Sequence, residues 1–309
     1  NGGNTVTATI DGNQVQNLLG GTNPGLTGDG IRAVSGCGDS GTPNTVTAII
    51  TNNIVYKAAD QGILVKGAGC GNGISNNNIL NATISGNTVR LSGQGVDLGL
   101  PTSQGIGVTG GDRSGVTGGT NNTVIYTVSN NTVSGSTGHG ITISGGGSDV
   151  TVGAGSHDVM GTVSGNIVVN NGERGINISG GRSDSNDVQT TISGNRVKAN
   201  GEGGIIAVMG SGVGNDVNIS GISNNLAVNN TGDGIRIASG VDGDGLNAIS
   251  GNNASRNSED GIDINSTGYT LSNNTANKNG GDGINAVAGN TDGLGNSGKG
   301  NGGTNVSIP

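Results

Sequence analysis

Three aspartates recur in one sequence context in the C-terminal part of the chain, and they are the clearest candidates for chemistry. Asp233, Asp260 and Asp282 each stand two residues before an isoleucine, in the sequence Asp-Gly-Ile. If successive repeats stack, neighbouring carboxylates repel, so that a pKa rises or a cation binds. A Ca²⁺ site and a catalytic acid pair are two interpretations of this row. The interpretation we prefer is a solvated turn in which aspartate before glycine serves the backbone.

Two cysteines are the next candidates. Cys37 and Cys70 follow Ile31 and Ile63 by six and seven residues, so they occupy equivalent places in successive repeats. Stacking would bring their loops together, and we predict a disulfide that ties down long N-terminal loops in an oxidising compartment. A pair of free buried thiols is the alternative.

Other residue types that perform catalysis are scarce. Of the two histidines, we interpret His139 as a polar surface residue and place His157 in a loop. Dispersed histidine and cysteine predict no zinc site. Of the three tyrosines, Tyr126 and Tyr269 share a column five repeats apart and Tyr56 stands alone, so we predict no aromatic surface for stacking sugars. These absences argue against an enzyme.

Composition excludes several classes of protein. The net charge is −8 with 13 Lys plus Arg, which disfavours binding to nucleic acid or to an anionic membrane surface. No apolar run is long enough to insert into a bilayer. Glycine accounts for 67 of 309 residues, and phenylalanine and tryptophan are absent, which suits a narrow interior of Ile, Val and Ala. With four prolines and no Gly-X-Y period, the chain is not collagen.

The element that must position these candidates is a repeat, seen at its clearest in Ile-Ser-Gly-Asn-Thr-Val at 84–89. An apolar residue lies three places before the asparagine and another lies two places after it. A Gly-Ile pair or its equivalent follows, usually with the isoleucine ten places after the asparagine. The asparagines are Asn13, Asn53, Asn87, Asn131, Asn166, Asn195, Asn225, Asn252 and Asn274.

Each repeat carries short, β-branched segments with period-two alternation, separated by Gly/Asn clusters, and none has helical periodicity. Three short strands per coil, with coils stacked about 4.8 Å apart, bury a continuous apolar interior. Asparagine tolerates the left-handed backbone of a sharp turn, and stacked amides form a hydrogen-bonded ladder. We expect the glycine before each isoleucine to serve a turn in the same way.

The sequence Ile-Ser-Gly-Asn-Thr-Val, followed by Asn-Gly-Gly-Asp-Gly-Ile as at 279–284, resembles the repeat of right-handed parallel β-helices of the pectate-lyase-like superfamily. The resemblance covers residues 5–287 and implies right-handed coiling and an extracellular setting. That superfamily includes lyases, hydrolases, epimerases, adhesins and structural rods, so the resemblance implies no single activity. Its epimerase elements Tyr-Gly and Asp-Pro-His are absent here.

We therefore predict an all-β, right-handed parallel β-helix of about nine coils that forms one domain over residues 1–309. The coils span 5–287 and taper toward the C-terminus, and a Gly/Asn-rich tail covers 288–309. The taper follows from the spacing of ladder asparagines, which falls from 44 residues (Asn87 to Asn131) to 22 (Asn252 to Asn274). The inner valine column also becomes alanine from Ala227 onward.

For function, we expect an extracellular or cell-surface structural protein, such as a self-associating filament or a surface-layer subunit. Uncapped solenoid ends would meet another copy or a neighbouring domain. The alternatives are a secreted polysaccharide lyase or hydrolase and a glycan-binding adhesin, with glycans as partners. We predict no cofactor other than Ca²⁺ at the aspartate row, no nucleic acid and no membrane insertion.

Overall fold

The computed structural model describes residues 3–18, 28–36, 43–67, 76–93, 103–111, 120–146, 156–181, 185–242 and 247–309. These residues form 29 strands, and no helix occurs among them. The ladders within each sheet are parallel. The all-β prediction is therefore confirmed. No described segment is a helix that could span a membrane.

The strands are numbered in chain order and fall into three long sheets. The first sheet contains β1 (Thr5–Asp11), β4 (Thr45–Thr51), β7 (Ile79–Ser85), β10 (Thr123–Ser129), β13 (Asp158–Ser164), β16 (Asp187–Ser193), β19 (Asp216–Ser223), β22 (Asn247–Ser250), β24 (Tyr269–Ser272) and β27 (Thr291–Asp292). The second contains β2 (Gln14–Gln16), β5 (Ile54–Tyr56), β8 (Thr88–Arg90), β11 (Thr132–Ser134), β14 (Ile167–Val169), β17 (Arg196–Lys198) and β20 (Leu226–Val228), and bridges through Asn253 connect it to β25 (Thr275–Asn277) and β28 (Ser297–Lys299). The third contains β3 (Ile31–Val34), β6 (Ile63–Lys66), β9 (Ile106–Thr109), β12 (Ile141–Ser144), β15 (Arg174–Ser179), β18 (Gly203–Val208), β21 (Ile235–Ile237), β23 (Ile262–Ile264), β26 (Ile284–Ala286) and β29 (Val306–Ser307).

Each coil passes through the first, second and third sheets in turn, and the next coil stacks on it in register. The predicted apolar columns form the interior. In the second coil, for example, Ile50, Val55 and Ile63 are fully buried, one from each sheet. Alternation in the strands sends the intervening residues outward, which is why period two is visible in the sequence.

The segment 288–309 differs from the predicted tail because it forms a tenth coil. The strands β27, β28 and β29 pair with β24, β25 and β26. Asn296 takes the ladder position in this coil, since its Oδ1 accepts the backbone N–H of Asn274 at 3.1 Å. Strands of the first sheet shorten from seven residues in β1 to two in β27.

The asparagine ladder predicted from the repeat is confirmed. The backbone N–H of each ladder asparagine donates to Oδ1 of the next at 2.9–3.1 Å, and its side-chain amide donates to the same oxygen at 2.9–3.0 Å. The amide also donates to the carbonyl of the apolar residue that precedes the ladder in the coil before, as Asn166 does to Val128. These bonds satisfy polar groups that the stack buries.

Two further ladders run along the other turns. The second begins five residues after the first and consists of Asn171, Asn200, Asn230, Asn257, Asn279 and Asn301. The third precedes the first sheet and consists of Asn4, Asn44, Asn78, Asn122, His157, Asn186 and Asn215. His157 lies outside the strands, just before β13, as predicted, but its imidazole is buried and replaces an amide in this ladder.

Turn geometry corrects two expectations about residue types. The left-handed residue is the one before each first-ladder asparagine, such as Gly86 (φ 68°) or Asn130 (φ 56°), and not the ladder residue itself. The glycine before each isoleucine does not have positive φ either. It provides space instead, because a Cβ on Gly140 would lie 2.3 Å from Val168 Cγ1 and 2.7 Å from Asn171 Nδ2.

Candidate functional site

The predicted aspartate row lies in the turns that enter strands β21, β23 and β26, in three consecutive coils. Its carboxylates bind the backbone of the following coil. The N–H of Asp260 donates to Oδ1 of Asp233 at 3.0 Å, and that of Asp282 donates to Oδ1 of Asp260 at 2.5 Å. The N–H of Thr304 donates to Asp282 Oδ1. These contacts give each aspartate the backbone role expected for a turn, and they hold the carboxylates in one row.

Two residues on the outer face of the third sheet join this row. Arg236 Nε lies 4.0 Å from Asp233 Oδ2 and 3.7 Å from Oδ2 of Asp263, which is the next residue in its column. Asp263 is largely buried and accepts hydrogen bonds from Asn265 and Asn285. Sequence reasoning missed Asp263. The signal was present in Ile-Asp-Ile at 262–264, where a carboxylate stands between two inward-facing isoleucines.

Two aspartates of this row, with Arg236 and Asp263, line an open groove of about 470 Å³, which we call the acidic groove. The lining residues are Asp233, Arg236, Ser258, Glu259, Asp260, Asp263, Gly280 and Gly281. Four carboxylates and one guanidinium give the groove a net negative charge. Asp260 Oδ2 accepts no hydrogen bond from a described residue, so this oxygen is available to a ligand.

Crowding changes the proton affinity of two of these carboxylates. The pKa of Asp233 is raised to about 6, mainly by burial; the charges of Asp263, Glu259 and Asp260 add to the rise, and the hydrogen bond from the Asp260 N–H opposes it. Burial likewise raises the pKa of Asp260, with Asp263 and Asp282 contributing. A carboxyl whose pKa is raised toward neutrality is suited to exchange a proton with a bound ligand.

A second acidic row, also missed from the sequence, lies at the start of three strands of the first sheet. Asp158, Asp187 and Asp216 are in register in β13, β16 and β19. Burial raises the pKa of Asp187, and the charges of Asp216 and Asp158 add to this effect. These carboxylates lie outside the acidic groove.

Metal binding at the predicted row stays a prediction. Among the residues that the structure describes, no group of three or more His, Cys, Asp or Glu side chains is arranged to hold a metal ion. In the row itself, one oxygen of each carboxylate is already bonded to a backbone N–H. A Ca²⁺ ion at Asp233, Asp260 and Asp282 would have to use the remaining oxygens.

The other candidate residues are distributed as follows. Tyr126 and Tyr269 are buried in the core, and the Tyr126 hydroxyl lies 2.7 Å from Thr190 Oγ1. His139 Nδ1 lies 2.9 Å from Glu173 Oε2. Cys37 and Cys70 lie outside the described residues, so the disulfide remains a prediction.

Comparison with known proteins bears on the fold. Among solved structures, the A-module of the mannuronan C-5 epimerase AlgE4 from Azotobacter vinelandii is 17% identical, covering 97% of this chain and 68% of that one with a TM-score of 0.45. The Dettilon tailspike protein is 12% identical, with coverage of 94% and 60% and a TM-score of 0.38. The AlgE6 A-module is 15% identical, with coverage of 100% and 92% and a TM-score of 0.29. No curated protein matches significantly.

The family model described as "Right handed beta helix region" matches residues 114–298, which is more than half of the chain. The matched region contains most of the parallel coils and ladders described above. This match confirms the right-handed coiling that the repeat implied. The chain therefore belongs to the right-handed β-helix family.

Proposed function

We propose that this chain is an extracellular glycan-binding β-helix and that the acidic groove binds the hydroxyl groups of a saccharide. The observation that carries the proposal is the arrangement of Asp260, Asp263 and Arg236 on one open outer face. Saccharide hydroxyls need acceptors and donors at fixed positions, and carboxylates and a guanidinium supply both. Asp263 is held in place by two asparagine amides and Arg236.

The charge of the groove selects the kind of glycan. With four carboxylates and a single cation, the groove repels an anionic polymer and favours a neutral or amino-sugar chain. The aspartates that line it lie in the seventh and eighth coils, and Gly280 and Gly281 extend it to the ninth. At a spacing of about 4.8 Å the groove spans about 10 Å along the rod, which suits more than one sugar unit.

The same geometry supports chemistry on the bound glycan. Asp233, with a pKa of about 6, supplies a general acid near neutral pH, and Asp260 is a neighbouring carboxylate with a free oxygen. A pair of neighbouring carboxylates is the arrangement that glycoside hydrolysis uses. Binding is the primary proposal, and hydrolysis extends it.

The test compares Asp260→Asn and Asp263→Asn with the wild type on an array of neutral and amino-sugar oligosaccharides. Asp158→Asn, which removes a carboxylate from the second acidic row, is the matched control. We expect Asp263→Asn to weaken binding at least tenfold, since it disrupts a charged hydrogen-bond network, and Asp158→Asn to leave binding unchanged. Release of reducing ends by the wild type, lost in Asp260→Asn, would add catalysis. A wild-type chain that retains no saccharide on the array contradicts the proposal.

A structural role is the second proposal, and the terminal strands favour it. β1 and β27 end the first sheet, so each has one edge that no described strand pairs. Val6 of β1 is 49% exposed. Such edges pair with strands of other chains, and a head-to-tail contact of this kind builds filaments. Electron microscopy at high protein concentration tests this role, and a field of dispersed short rods alone contradicts it.

A further inference from the structure

A second groove lies on the outer face of the second sheet in the first three coils. Its volume is about 370 Å³. The residues that line it are Gln14, Val15, Gln16, Ile54, Tyr56, Thr88 and Arg90. Register places them in two outward rows, one of Gln14, Ile54 and Thr88 and the other of Gln16, Tyr56 and Arg90. We call this the tyrosine groove. It contains the one tyrosine that is not buried in the core.

Three polar side chains of the tyrosine groove have no partner among the described residues. The side chains of Gln14, Gln16 and Arg90 are exposed and make no hydrogen bond or ion pair with a described residue. The Tyr56 ring has the Lys57 ammonium 5.2 Å from its centroid. No carboxylate lines the groove. A chain of net charge −8 therefore presents two cations, two amides and an aromatic ring together.

The two rows continue along the rod to a second pair of cations. After Arg90, the row passes Ser134 and Val169 to Lys198, and the parallel row passes from Thr88 through Thr132 and Ile167 to Arg196. Arg196 and Lys198 lie three coils beyond Arg90, which is about 14 Å at the spacing of stacked strands. Positive charge therefore recurs along one face with small or apolar side chains between.

We propose that the tyrosine groove binds an acidic polysaccharide. The Arg90 guanidinium pairs with a carboxylate or sulfate of one sugar, because its planar donors match such groups in two parallel hydrogen bonds. A sugar ring lies against Tyr56, and the amides of Gln14 and Gln16 bind hydroxyls. Further acidic groups along the polymer reach Arg196 and Lys198. This site does not depend on the acidic groove, which carries the opposite charge and lies on another sheet.

The experiment measures binding of polygalacturonate oligosaccharides by calorimetry at low and high salt. The variants are Arg90→Gln, Tyr56→Ala and Tyr56→Phe, and Arg256→Gln is the control because it removes an equivalent exposed cation outside the groove. We expect Arg90→Gln to weaken binding about tenfold, since one charge-assisted interaction is lost. Tyr56→Ala should weaken binding severalfold, Tyr56→Phe should keep the affinity, and added salt should weaken it.

Three further probes separate the sources of negative charge. A sulfated glycan that binds more tightly than polygalacturonate assigns the acidic group as sulfate, and the reverse assigns it as carboxylate. Dextran, which is neutral, should not bind. The proposal is overturned in favour of unspecific charge attraction if double-stranded DNA binds as tightly as polygalacturonate and Tyr56→Ala has no effect on binding. It is also overturned if Arg90→Gln and Arg256→Gln bind polygalacturonate with equal affinity. Asp260→Asn should leave polygalacturonate binding intact, so failure of the proposal for one groove can be distinguished from failure of the proposal for the other.

Discussion

Replacing His157 with asparagine should make the fold more resistant to acid. His157 occupies the third ladder. Its Nδ1 accepts a hydrogen bond from the backbone N–H of Asn122 at 3.3 Å, and the backbone N–H of His157 donates to Asn186 Oδ1 at 3.2 Å. The side chain is 2% exposed, and burial lowers the pKa of the imidazole from 6.5 to about 4. A protonated ring could not accept the hydrogen bond from the Asn122 N–H through Nδ1, and its charge would be buried away from water.

The direction and the size of this effect on stability follow from the linkage between proton binding and folding. Because the folded pKa lies below the unfolded value, the unfolded chain binds the proton more readily between pH 6.5 and 4. The stabilisation by neutral His157 is complete above pH 6.5 and is lost as the pH falls to 4. At 1.36 kcal/mol for each pKa unit, the loss is about 3 kcal/mol. Asparagine has no such titration and is the residue that other coils use at this position.

The assay compares denaturant unfolding of wild type and His157→Asn at about pH 7 and about pH 4. Carboxylates titrate in both chains, so their contribution cancels in the difference. The free energy of unfolding should fall by about 3 kcal/mol more in the wild type than in the variant. His139→Asn, which changes the other histidine, should keep the His157 component of the loss. Equal losses in wild type and His157→Asn, or an NMR titration of the His157 ring near pH 6.5, would refute the reasoning.

Three other substitutions test the turns and the acidic row. In denaturant unfolding, Asp233→Asn should stabilise the protein by about 1 kcal/mol at pH 7 and give no gain at pH 4. A carboxyl with a raised pKa stabilises the fold below pH 3.8, and this contribution is lost as the pH rises through about 6. Solvent screening keeps the gain small. Asn166→Ala should lower the free energy of unfolding by about 2–4 kcal/mol, because it leaves buried ladder partners without hydrogen bonds. Asn13→Ala, in the exposed first coil, should lower it by less than about 1 kcal/mol. Similar losses in the two variants would argue against the ladder. Gly140→Ala should destabilise by about 2–3 kcal/mol through overlap with Val168, while Gly221→Ala, whose Cβ would meet its nearest atom at 3.5 Å, should be tolerated in the same melting assay.

The interior could be predicted from the sequence because stacking imposes the same demand on every coil. Each inward position must hold an apolar residue, so the columns through Ile84 and Val89 repeat visibly. The first ladder repeats for the same reason. The second ladder was missed because its position holds Ser92 and Ser136 in earlier coils, so the asparagine pattern begins only at Asn171. The third was missed because variable loops precede it and a histidine interrupts it.

Glycine shows how a correct pattern can have a different cause. The Gly-Ile pair was visible, and conformational freedom was the expected reason. At Gly140 and Gly175 the reason is volume, since a Cβ would lie within 2.3 Å of Val168 Cγ1 and 2.2 Å of Val197 Cγ1 respectively. A periodic sequence reveals that a position is constrained. The three-dimensional contacts of the next coil are needed to identify which constraint acts.

Outward strand positions carry no such periodic signal, and they supply most of the tyrosine groove together with Arg236 and Asp263 of the acidic groove. The column of Asp263 contains Leu64, Gly107, Thr142 and Arg236, which share no property that a repeat would reveal. The register of the strands identifies which of these unlike residues are neighbours. It places Asp263 beside Arg236 on the third sheet, and it places Arg90, Arg196 and Lys198 in two rows of the second sheet.

The separation of these charges constrains how the two grooves can act. Arg90 belongs to the third coil and Asp260 to the eighth, so about 24 Å of rod lies between them along the axis. A uniformly charged polymer that binds one groove is repelled by the other, so one such ligand cannot occupy both. Sites that far apart with no shared partners should contribute independently. The combined variant Arg90→Gln/Asp260→Asn should therefore show the same loss of polygalacturonate affinity as Arg90→Gln alone, and a larger loss would mean that a single ligand contacts both faces.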